Sequence, residues 1–143
     1  MAMQRVIRVT AEDPPATLEE VVSFFRDLNS IYGYAQYIVR CVSTSHEPTE
    51  SEITEIWAHG YKEESPRVTR IATGSIVVEI LKSPTELVNA VFLALINLAT
   101  LPVQVRAKWH EHQYQAESFK AKRDSLRRNG NIVAEEVDSE HVV

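Results

Sequence analysis

The densest group of chemically capable side chains is His110-Glu111-His112, three consecutive residues of the kinds that ligate metals or move protons. The surrounding sequence reads as helix, and residues two apart on a helix point in different directions. The two histidines therefore cannot chelate one ion from a common face. Thr17 precedes Glu20 by three residues, which is the pattern of a helix capping box rather than of an activated hydroxyl. The adjacent carboxylates Glu19-Glu20 and Glu63-Glu64 read as solvated surface. Gly74 stands alone between two apolar runs, so there is no glycine-rich cradle for phosphate. Cys41 is the single cysteine; it excludes an intramolecular disulfide and fits a reducing compartment. The opening MAMQRVIRV has no secretory apolar core, which also points to the cytoplasm. The expectation is a chain without a catalytic residue, metal or cofactor. Tyr32, Tyr34 and Tyr37, near Phe24 and Phe25, divide between core and interface, since tyrosine supplies rigid contact area at protein surfaces.

The elements that would position these residues are those of one small domain. The chain has 143 residues, 44% apolar and 24% charged, which fits a globular unit with its own core. A net charge of −5 gives no general attraction to nucleic acid. The charge is nonetheless segregated. Residues 46–64 hold Glu47, Glu50, Glu52, Glu55, Glu63 and Glu64 against Lys62, residues 106–128 are basic on balance, and Glu135, Glu136, Asp138 and Glu140 close the chain.

Alternation predicts a strand over Gln4 to Thr10, with Ile7 and Val9 inward. Thr17 caps a helix carrying Leu18, Val21, Val22, Phe25, Leu28 and Tyr32 at helical spacing. Gly33 weakens that helix by about 1 kcal/mol relative to alanine, and residues 35–43 read as its continuation or as a separate strand, with the helix favoured. A short acidic helix runs from Ser51 to His59, with Gly60 as its stop. Val68 to Leu81 predicts a hairpin in which Gly74-Ser75 forms a type II′ turn, Ile71 faces Val78 and Arg70 faces Glu79.

Ser83-Pro84 opens what reads as one long helix to about Arg128. Val88, Val91, Leu95, Leu98, Pro102, Val105, Trp109, His112, Ala116, Phe119, Arg123 and Leu126 alternate in steps of three and four, the seam of a coiled coil. Glu86, Asn89, Asn97, Thr100 and Gln104 form a thin polar stripe expected to be wet. Pro102 should kink the helix. The predicted organisation is an α+β core over residues 1–101, a helical arm over 102–129 and a flexible acidic tail over 130–143. The arm's basic flanks suit an acidic surface, for which residues 46–64 are one candidate. The arm could fold back on its own domain, but the small area of such a body favours use between molecules.

The order strand, capped helix, hairpin, long helix, with the run from Val68 to Ile80, resembles small bacterial α+β domains that accompany effector and signalling modules of antiviral conflict systems. What the resemblance implies is an adaptor or oligomerisation unit, with no catalytic residue carried across.

The leading expectation is a non-enzymatic interaction module. It forms a homo-oligomer or takes a protein partner through Leu95, Leu98, Val105, Trp109, His112, Phe119 and Leu126, with Trp109 as the main anchor. The alternative from another class is a membrane-acting protein that inserts the uncharged segment from Leu87 to Val105 by way of Leu87, Phe92, Leu95 and Ile96. A further alternative is nucleic-acid binding by the basic residues of 120–128; the net acidity makes it the least favoured of the three.

Overall fold

The computed structural model describes residues 4–11, 17–61, 67–72, 76–111, 116–127 and 131–139. In chain order these form β1 (Gln4–Ala11), α1 (Leu18–Thr44), α2 (Glu50–His59), β2 (Val68–Ala72), β3 (Ile76–Leu81), α3 (Glu86–Asn97), α4 (Val103–Glu111), α5 (Ala116–Arg127) and β4 (Ile132–Ser139). The strands make an antiparallel sheet in the order β2-β3-β1-β4. An α+β fold is thus present, with the N-terminal strand and the capped helix where the sequence places them.

The Thr17 hydroxyl accepts from the Glu20 N–H at 3.2 Å and starts α1. From Ile31 to Val39 every residue of α1 is buried, as expected of a helix enclosed on all sides. Residues 35–43 are helical as expected, and Ser45 (φ 57°) ends the helix by turning its N–H to the Cys41 carbonyl. Gly33 lies where the chain at Tyr61 crosses α1: a Cβ there would sit 2.7 Å from the Tyr61 amide nitrogen. The glycine that weakens the helix is the one that lets the crossing occur.

Helices cover one face of the sheet, where Ile7, Val9, Ala11, Val78, Ile80, Ile132 and Ala134 join the apolar core. The pleat sends alternate residues to the other face. Backbone register there aligns Arg70, Glu79, Arg8 and Glu135 across successive strands, an alternating row of charge. Glu79 is fully buried and receives the Arg8 guanidinium at 3.0 Å from Nε and 2.9 Å from Nη2. The expected pairings of Arg70 with Glu79 and Ile71 with Val78 are present; the Gly74-Ser75 turn lies outside the described residues.

The single long helix is not formed. Asn97 ends α3, and Leu98 takes a left-handed conformation (φ 56°) with its N–H on the Ala94 carbonyl. Pro102 has no N–H to return to Leu98; instead its carbonyl accepts from the Val105 and Arg106 amides and begins α4. The expected kink is a break, and the coiled-coil arm is replaced by helices wrapped around α1. The seam spacing was real, but an apolar stripe at that spacing serves equally to pack a helix on its own domain. The basic flanks find partners at home: Lys108 pairs with Glu47, and Lys122 with the buried Asp27 at 3.3 Å. Residues 132–139, expected to be tail, form β4. Ile132 and Ala134 face the core, while Asp138 lies 3.6 Å from Arg5 and Glu136 3.2 Å from Lys82. The acidic run is a strand in which Glu136 and Asp138 are matched to basic neighbours.

Candidate functional site

The residues expected to form an intermolecular seam are mostly spent on the fold. Leu95, Val105, Phe119 and Leu126 are buried, and Trp109 is half-buried with its ring 5.6 Å from Tyr34 and 5.2 Å from Phe119. Among the described members Leu98 alone is exposed, at 51%. His112 lies outside the described residues. Among the membrane candidates, Phe92, Leu95 and Ile96 are buried in the core and Leu87 is half-buried against it. Among the described residues no helix is long and apolar enough to cross a membrane. In the basic segment, Lys122 is held by Asp27, Arg123 lies 3.5 Å from Asp124, and Arg127 donates to the Ile96 and Ile132 carbonyls.

Of the polar stripe, Glu86, Asn97, Thr100 and Gln104 are exposed as expected, and Asn89 is not. Asn89 is fully buried and accepts from the Ser83 N–H at 2.8 Å while donating to the Ser83 carbonyl at 2.9 Å. Asn97 treats Ala134 of β4 in the same way, donating to its carbonyl at 2.8 Å and accepting from its N–H at 2.9 Å. A paired carboxamide thus occupies the outward backbone groups of an edge strand, which would otherwise offer a template to another chain.

The opposite edge, β2, is built differently. Among the described residues no side chain is bonded to its outward backbone groups. A bulge between Val68 and Arg70 puts both Val68, paired with Ile80, and Ile71, paired with Val78, on the helix-bearing side of the sheet. There they are 51% and 57% exposed. Beside them is a cleft of about 160 Å³ lined by Phe25, Leu28, Tyr32, Val68, Val78 and Ile80. Leu18 and Val22 continue the Phe25 face of α1 at steps of four and three, and both are exposed. The result is an apolar trough between the β2 edge and a helix. Two β-rich runs around a turn signalled the strand; which strand would end the sheet depends on the long-range pairing of β1 with β3 and β4.

A second, polar region lies on the other half of α1. Arg40 donates to the Tyr61 hydroxyl at 2.9 Å, and both residues border two cavities. The first, about 330 Å³, is lined by Tyr37, Cys41, Thr44, His46 and Glu52. Glu52 Oε1 accepts from Tyr37 at 3.0 Å and Thr49 at 2.9 Å, and lies 2.8 Å from His46 Nε2. The His46 hydrogen bond holds the Glu52 carboxyl below the usual carboxylate range. Burial pushes the Cys41 thiol up, despite the hydrogen bond from Tyr37 that favours the thiolate. An inert thiol is the consequence, because the thiolate is the nucleophile. The second cavity, about 290 Å³, is bordered by Gln36, Ser43, Ser83, Thr85 and Val88. Neither Gln36 Oε1 nor Nε2 has a hydrogen-bond partner among the described residues, and leaving such groups unpaired inside a protein costs about 1–3 kcal/mol each. Within a helix whose apolar periodicity dominates, Gln36 gave no signal in the sequence.

Comparison of the chain with protein-family models, with curated proteins and with solved structures finds no match.

Proposed function

We propose that the protein is a non-enzymatic interaction module, an adaptor that docks an extended segment of a partner protein along β2. The reading is carried by the asymmetry of the two sheet edges: Asn97 occupies the outward groups of β4 at Ala134, whereas β2, whose edge meets no side chain among the described residues, carries exposed Val68 and Ile71. Strand addition fits this arrangement, since main-chain hydrogen bonds supply affinity and alternate side chains enter the trough. The edge is basic, with Arg67 and Arg70 and no acidic residue between positions 67 and 72. Pairing with β2 of a second copy would set like charges across the strands, which is unfavourable. The fitting occupant is therefore a foreign strand of alternating aliphatic and acidic residues. A place beside an effector or signalling component of a bacterial defence system is what the resemblance of the hairpin region adds.

Selection of a displayed random peptide library on the purified chain tests the reading, with Ile71→Lys as the control. Ile71 is exposed, so the variant keeps the fold. The expected result is enrichment of aliphatic-acidic alternation by the parent protein, lost with the variant. Absence of enrichment, or the same peptides selected by both proteins, would overturn the proposal. So would concentration-dependent dimerisation in light scattering that Ile71→Lys abolishes, since the occupant would then be a second copy.

A further inference from the structure

The cavity beside Tyr37 and Tyr61 is separate from the β2 edge and takes no part in strand docking. Its space of about 330 Å³ is walled by those two rings, set edge to face at 6.3 Å, and by charges of both signs. Each charge is oriented by one of the rings. Arg40 donates from Nη1 to the Tyr61 hydroxyl at 2.9 Å, and Tyr37 donates to Glu52 Oε1 at 3.0 Å. Thr49 and His46 meet the same oxygen, so among the described residues no group donates to Oε2. Arg40 is exposed and the Glu52 side chain is 45% exposed, so a ligand can reach both. The His46 hydrogen bond keeps Glu52 ionised at neutral pH. The other walls are neutral or engaged. Cys41 is buried as a thiol, and the Thr44 hydroxyl donates to the Arg40 carbonyl at 2.8 Å.

Arg40 and Glu52 thus face one cavity without bonding to each other. A lone anion held by Arg40 would be repelled by the Glu52 carboxylate, and a lone cation held by Glu52 would be repelled by the guanidinium. The occupant that answers both carries one charge of each sign on a short frame. Guanidinium forks recognise carboxylates through parallel N–H donors. Glu52 Oε2 calls for an ammonium with N–H groups to donate; a quaternary ammonium has none and would leave it unmatched. We propose that this cavity binds a small zwitterionic amino acid, its carboxylate on Arg40 and its ammonium on Glu52 Oε2. The Tyr37 and Tyr61 rings enclose the carbon frame between the two charges. A water's share of liquid volume is about 30 Å³, so the space holds such a molecule together with a few waters.

The probes are glycine, β-alanine and γ-aminobutyrate, whose charges stand one, two and three methylenes apart, each with its N-acetyl counterpart. Saturation-transfer NMR on the full chain at neutral pH measures them. The expected result is binding of at least one amino acid, weakened roughly tenfold or more by acetylation, because a site built around a hydrogen bond rejects the analogue lacking it. Arg40→Gln should lose the amino acid and the acetylated form alike. Glu52→Gln should lose the amino acid to the same extent yet bind the acetylated form no worse than the parent does, since it no longer repels a lone carboxylate. The contrast distinguishes contact with a ligand from a merely structural loss. Far-UV circular dichroism checks the fold of each variant, and Arg40→Leu or Glu52→Ala serves where the glutamine variant does not fold. No detectable binding of any amino acid at millimolar concentration would overturn the proposal. Equal binding of free and acetylated forms by the parent, or binding that survives either substitution, would overturn it as well.

Discussion

Single residues in this chain act mainly by satisfying backbone groups and charges that the fold would otherwise strand. Glu52 illustrates the point because it serves several partners at once. It stands at the third position of α2, its N–H donates to the Thr49 hydroxyl at 3.2 Å, and its carboxylate gathers Thr49, Tyr37 and His46. The folded state holds its carboxyl below the ordinary range, first through the His46 hydrogen bond. An unfolded chain would bind a proton at about pH 4.3, the ordinary glutamate value. As pH falls, the unfolded state therefore takes up a proton before the folded state does, and stability falls with it. The contribution is complete above the ordinary glutamate value and disappears as pH drops through the lower folded value. The group is partly exposed, so its size is of the order of an exposed ion pair, about 0.5–1 kcal/mol. Glu52→Gln should thus flatten the acid limb of stability against pH by that amount, measured by urea unfolding between pH 3 and 6. An acid limb identical to that of the parent would show that the cluster contributes nothing to folding.

At the scale of elements, local rules give the right answer until two elements have to cross. Helix propensity alone says that Gly33→Ala strengthens α1 by about 1 kcal/mol. The crossing reverses the sign: the new methyl would lie 2.7 Å from the Tyr61 amide nitrogen and 3.1 Å from its Cβ. The nearer of these is backbone, which cannot rotate away as a flexible side chain can, and overpacking of this kind costs about 1–3 kcal/mol. Gly33→Ala should therefore lower the unfolding midpoint in denaturant and displace Tyr61 from Arg40; a rise in the midpoint would refute the crossing geometry. The same distinction separates what was legible in the sequence from what was not. The Thr17 cap, α1 through residues 35–43, α2 with its Gly60 stop and the Arg70–Glu79 register are set by neighbours within a few residues, or by a hairpin, and all were readable. The break at Leu98 was only half readable. Pro102 announced a disturbance, but the left-handed Leu98 and the diversion of Asn97 to Ala134 depend on β4, more than thirty residues later. β4 itself was hidden because its carboxylates resemble a solvated tail until Arg5 and Lys82 are brought beside them. The β2 trough and Gln36 escaped notice for the same reason: an edge and a cavity are properties of the assembled fold.

For the whole molecule, the decisive question is whether the C-terminal helices belong to the domain or reach beyond it. Phe119 answers it most directly. It is buried, its ring lies 5.2 Å from Trp109 and 6.0 Å from Trp57, and Trp57 stacks at 4.7 Å on Tyr34 of α1. One aromatic cluster therefore joins α5, α4, α2 and α1. If α5 were an arm seated on another molecule, Phe119→Ala would weaken an assembly and leave the monomer's unfolding unchanged. With α5 packed on α1 and anchored there by the Lys122–Asp27 pair, the substitution instead opens a cavity in the core, at a cost of about 3–5 kcal/mol. For a domain of this size that is a large share of the whole, because small proteins are stable by only about 5–15 kcal/mol. The expected outcome is a single cooperative transition at a much lower denaturant midpoint. That midpoint should be the same at micromolar and at hundredfold higher protein concentration, since mass action couples concentration to stability only when folding is linked to association. Tryptophan fluorescence should report the loss together with far-UV circular dichroism, because both indoles border the substituted ring. A midpoint that climbs with concentration, or a fluorescence change that precedes the loss of helix, would restore the arm as a separate element.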